Sequence, residues 1–94
     1  MVNKMGKEEM VKKGDNYLES AKTALQQSQV ALSEEESLSL ENKALDLLDH
    51  SYYAYHTAEK MYEDANEKLK ASEMLINRNK VWKLYSSIRN RGQV

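Results

Sequence analysis

SEEES, residues 33–37, decides how this chain folds. On either side of it, apolar residues recur every seven positions, and the two stretches are out of phase. Before it, Val11, Leu18, Leu25 and Leu32 form a column of large side chains. Beside that column run small residues, Gly14, Ala21 and Ser28, and a mixed flank of Met10, Tyr17, Ala24 and Ala31. After it, Leu48, Tyr55, Tyr62, Leu69 and Ile76 are the large column, and Ala44, Ser51, Ala58, Ala65 and Ser72 the small one. Leu47, Ala54, Met61 and Leu75 flank them. A seven-residue apolar repeat is the mark of helices packed side by side. Continued past Leu32, however, the first column lands on Ser39, Asp46, Tyr53 and Lys60, the polar side of the second stretch.

One unbroken helix would therefore carry its two stripes on different faces. A turn lets them meet. Ser33 is placed to cap a new helix, Glu36 completes a capping box three residues on, and acids suit the positive end of a helix dipole. The pattern predicts an all-α fold: an antiparallel, coiled-coil-like helical hairpin with a small-residue seam, helix 1 over about residues 7–31 and helix 2 over about 35–76. Small residues along a seam let two backbones approach near the lower end of the ~8–10 Å interaxial range. Gly14 fits such a contact, and fits equally a helix that starts there with Asp15 as its cap.

The stripe shifts again at INRNK, residues 76–80. Val81, Leu84, Tyr85 and Ile88 then give the i, i+3, i+4, i+7 spacing of a short third helix, about residues 80–90, with Trp82 alongside. At 1.5 Å per residue the expected helix 2 spans about 60 Å against about 37 Å for helix 1. Its overhang needs cover, either from helix 3 folded back as a three-helix bundle or from a second chain in a dimeric bundle.

The remaining composition narrows the chemistry. The 94 residues contain no cysteine and no proline, which removes disulfides and thiolate sites and leaves a long chain of helix formers in one small domain. No stretch reaches the ~18 apolar residues of a membrane span. The start, MVNKMGKEEMVKK, lacks the apolar centre of a signal peptide, which points to the cytoplasm and leaves signal-independent export open. Net charge is −1 but polarised: residues 33–67 hold ten acids against two lysines, and residues 68–94 hold seven Lys or Arg against one Glu.

HSYYAYHTAEKMY, residues 50–62, gathers four of six tyrosines and both histidines. Tyr55 and Tyr62 belong to the seam. Tyr52 sits on its other shoulder beside Leu45, so that with Leu47 and Ala54 the apolar arc over 44–55 is wider than one facing helix covers. Tyr53 lies opposite the seam. Leu45, Tyr52, Tyr53 and Tyr55 are the candidate partner-binding residues. Asp49, His56 and Glu63 recur every seven residues with Tyr52 and Glu59 a turn away, which raises a metal site. Di-iron bundles point Glu-x-x-His pairs inward, whereas here His56 precedes Glu59 and the stripe lies beside the seam. It reads as a solvated charged face, with no metal and no cofactor expected. Phosphate loops, H-E-x-x-H and G-x-S-x-G are absent, and scattered Ser, His and Asp make no triad, so no enzyme is expected. Arg78, Lys80, Lys83 and Arg89, with Trp82 among them, are candidate contacts for an anionic partner.

In length and hairpin shape the chain is similar to the small helical proteins exported by type VII systems. It departs from their defining W-x-G turn, since Trp82 is its sole tryptophan, and Tyr55-x-x-x-Glu59, which matches the shape of their export tag, lies mid-helix. The expected function is a non-enzymatic interaction module, a regulator, adaptor or chaperone-like protein, that buries helix faces against itself as a homodimer or against another helical protein. The alternative is nucleic-acid binding through the basic C-terminal segment.

Overall fold

The computed structural model describes residues 6–91, which form three helices: α1 (Lys7–Gln29), α2 (Glu34–Asp64) and α3 (Lys68–Arg91). The described residues hold no strand. The hairpin turns where the phase shift places it. Ser33 is extended and its hydroxyl accepts a hydrogen bond from the Glu36 N–H at 3.1 Å, while Glu34, Glu35 and Glu36 fill the first turn of α2.

α2 is the central element. Ala44, Leu48, Ser51, Tyr55, Ala58 and Tyr62 are buried along it at alternating steps of four and three. α1 packs against one side of this stripe and α3 against the adjoining side, while α1 and α3 barely touch. The Cα envelope of 48 × 32 × 14 Å is accordingly flattened. Along α1 the small column does what the seam requires: Gly14, Ala21 and Ser28 are buried. Gly14 lies well inside the helix, not at its start. A Cβ there would stand 2.8 Å from the Tyr55 ring, so the missing side chain makes room for that ring.

The second break differs from the expectation. Helix 2 was expected to run to about residue 76 and a short helix 3 to begin near 80; α2 ends at Asp64 and α3 is a full 24 residues. Asn66 adopts φ 61°, the left-handed region that asparagine tolerates better than most residues. The Asn66 N–H donates to the Glu63 carbonyl and the Glu67 N–H to the Tyr62 carbonyl, the paired bonds of a Schellman termination. Glu67 then precedes α3, its carbonyl accepting from Ala71 N–H.

The break changes the register of everything after it. Ala65, Leu69, Ser72 and Ile76 look like continuations of the seam, but all four are exposed. The inward face of α3 is instead Ala71, Met74, Arg78, Val81, Tyr85 and Ile88, again at steps of three and four. α2, at 31 residues, is about 46 Å long, shorter than expected because the segment beyond Asp64 folds back along it as α3 of the same chain. Lys7 closes this end, ion-paired with Glu67 and lying 5.4 Å from the Tyr62 ring centre. No described helix is long and apolar enough to cross a membrane.

Candidate docking groove

Three residues expected to bind a partner take different places. Tyr55 does not face outward: it is 2 % exposed, between α1 and α2, and its hydroxyl donates to Asp15. Burial, followed by the Asp15 acceptor, pushes its pKa above the ordinary tyrosine value. Leu45 is half-buried and packs against the core. The wide arc they belong to is closed by α3 of the same chain. Tyr53 alone of the tyrosine run stands out, 61 % exposed.

Tyr52 is held at the α2–α3 seam by Arg78. Arg78 Nε donates to Glu59 Oε1 at 2.6 Å, Nη1 donates to the Tyr52 hydroxyl at 3.0 Å, and the guanidinium carbon lies 5.7 Å from the Tyr52 ring centre. The bond to Glu59 raises the Arg78 pKa still further, against a smaller opposing effect of burial. Arg78 is thus an internal tie, not a free contact for an anionic partner. It also alters the charged stripe. Glu59, expected in solvent, has a side chain only 13 % exposed, with His56 Nδ1 3.7 Å away and the His56 ring stacked on Tyr52. Among the described residues, no group of three or more His, Asp or Glu is arranged to hold a metal ion.

The other basic residues are spread around α3. Lys80 and Lys83 are exposed on its outer side, and Arg89 lies on the shoulder that carries Trp82. At 100° per residue, Lys80 and Arg89 fall on opposite sides of the helix, so these charges do not form one stripe.

On that shoulder α2 and α3 leave a groove of about 510 Å³. Each wall supplies an aromatic pair. Tyr52 and Tyr53 meet edge to face, ring centres 6.2 Å apart at 88°, and Trp82 and Tyr85 stack at 6.0 Å and 12°. Asp49 and Asn79 add the polar lining, and Leu48 and Val81 form part of the apolar lining. The groove therefore joins two surfaces that looked separate in sequence, Tyr52–Tyr53 and Trp82. Tyr53 also lines a smaller groove of about 160 Å³ on the α1 side, next to Tyr17 and His50, whose rings are 5.2 Å apart. It is the ridge between the two.

Asp49 and Tyr85 were missed as members of this surface. The spacing of Val81, Leu84, Tyr85 and Ile88 already set Tyr85 on the inward face of a third helix with Trp82 alongside; the missing signal was the helix end at Asn66, which lays α3 beside the Asp49–Tyr53 stretch of α2. Compared with protein-family models, curated proteins and solved structures, the chain matches none of them.

Proposed function

We propose that this protein is a non-enzymatic docking module whose α2–α3 groove receives a segment of another protein. The observation that carries this reading is Tyr53: it is 61 % exposed and stands in one groove with Tyr52, Trp82 and Tyr85, with Trp82 itself 57 % exposed. Large aromatic side chains on the outside of a small helical protein expose apolar area that a partner buries, and Tyr and Trp are the residues that dominate such contacts. A regulator or adaptor works in this way, by covering a helix face.

Self-association is the lesser form of this reading, because the broad arc at 44–55 that invites a second copy is occupied by α3. Nucleic-acid binding ranks below both, since Arg78 is engaged with Glu59 and Tyr52 and the other basic side chains are dispersed.

The test places a photo-crosslinking amino acid at Tyr53, and in parallel at Ser20 and Glu35 on remote exposed positions, in the intact protein inside its own cells. One discrete protein adduct at Tyr53, absent at the two controls, is the expected result. Equal, diffuse labelling at all three positions overturns the reading.

A further inference from the structure

The groove's chemistry specifies its occupant more narrowly. The geometry points to a partner protein that inserts an arginine side chain between Tyr53 and Trp82 and pairs it with Asp49. This rests on the groove being a docking site, and names what it takes.

The molecule already contains a worked case. At the α2–α3 seam Arg78 is held by a carboxylate, a phenol hydroxyl and a ring face, from Glu59 and Tyr52 of α2. The groove is lined by the same kinds of residue: Asp49, one turn before Tyr52, with Tyr53, Tyr85 and Trp82. Among the described residues, no basic side chain forms an ion pair with Asp49.

Competing occupants fit less well. A purely apolar helix face would bury the Asp49 carboxylate without a partner, which costs far more than the apolar contact returns. An acidic segment would meet Asp49 as a like charge. Lysine would satisfy the charge, but only guanidinium is planar, so that it stacks on a ring while its edge bonds a carboxylate. The groove volume of about 510 Å³ accommodates such a side chain with the turn of helix that carries it.

Trp82, the sole tryptophan, reports directly from the groove. The full chain is titrated with a capped, alanine-based helical peptide carrying one central arginine, following the Trp82 indole and Tyr53 ring signals by NMR. A matched peptide carries citrulline, the neutral isostere of arginine. The expected result is saturable shifts at Trp82 and Tyr53, with the arginine peptide binding at least about fivefold more tightly. Asp49→Asn, an exposed position whose fold is checked by circular dichroism, should abolish that preference. Equal binding of the two peptides, shifts outside the groove, or no response at millimolar peptide each overturns the arginine assignment. A discrete Tyr53 crosslink alongside any of these would leave the docking reading standing, which separates the two failures. A dimer in light scattering that Arg89→Ala dissociates would make a second copy the occupant, and would overturn the assignment to another protein.

Discussion

The Tyr55 ring of α2 occupies the space that a side chain at Gly14 of α1 would fill. A Cβ on Gly14 would come within 2.8 Å of two ring carbons, and Ser51 Oγ donates to the Gly14 carbonyl at 2.8 Å in the same place. The two helices are in direct contact here.

Gly14→Ala should accordingly destabilise the fold, although alanine is the better helix former by ~1 kcal/mol. The ring is buried and has no free end to swing away, so overpacking costs about 1–3 kcal/mol and wins. Thermal unfolding followed at 222 nm should show a melting temperature lower by roughly 4–8 °C for each kcal/mol lost. An unchanged or higher value would mean that the helices stand further apart than described.

Two alanines on one apparent column should respond oppositely. Ala58 is fully buried in the seam, whereas Ala65 caps the end of α2 and is exposed. Ala58→Leu should cost about 1–3 kcal/mol and Ala65→Leu less than about 0.5 kcal/mol. Equal losses in chemical denaturation would restore a continuous helix through residue 65.

Asn66 gives an independent check on the same break. With φ at 61°, Asn66→Gly should be neutral or stabilising, and Asn66→Ala should lose about 1 kcal/mol. Were the segment helical, the order would invert, because alanine is the better helix former.

Tyr55 makes stability depend on alkaline pH. Its pKa is raised in the folded state, so as pH rises past the ordinary tyrosine value of 10.0 the unfolded chain releases a proton that the folded chain retains. Stability therefore falls with rising pH in that range. Tyr55→Phe should be less stable than wild type at pH 7, since it loses the bond to Asp15, and the gap should close as pH climbs above about 10. Parallel melting curves for the two proteins across that range would show that Tyr55 is not buried against Asp15.

Most of this architecture is written in the heptad columns. Val11, Leu18 and Leu25 pack against the core as periodicity requires, and the Ser33 cap with its acidic first turn stands where capping chemistry places it. Leu32, the last of that column, lies past the end of α1 and is 99 % exposed, and of the two readings of Gly14 the seam contact is the one the fold uses. The end of α2 was hidden because Leu69, Ile76, Ala65 and Ser72 carry the same period across the turn. Nothing in a seven-residue count distinguishes a helix that continues from one that reverses at a single left-handed residue. The cue was local chemistry, an asparagine at residue 66 ahead of a new charged turn. The groove was only half legible for the same reason. Tyr53 was singled out by lying opposite the seam, and Val81, Tyr85 and Ile88 by their spacing, but which stretch of α2 they pack beside depends on the turn at Asn66.

Because α1 and α3 both lean on α2 and hardly on one another, the protein consists of two hairpins sharing one arm. Each is closed by a short link, so each forms from neighbours in sequence, and folding should be quick. The shared arm also permits release of one outer helix at a time. Hydrogen exchange should find amides of α3 opening without those of α1, and α2 slowest of all. The groove beside Trp82 lies along the seam that opens when α3 departs, so an occupant bridging Asp49 and Trp82 would fasten the two arms together. Slower exchange throughout α3 would then be the trace of an occupied groove, readable far from the groove itself.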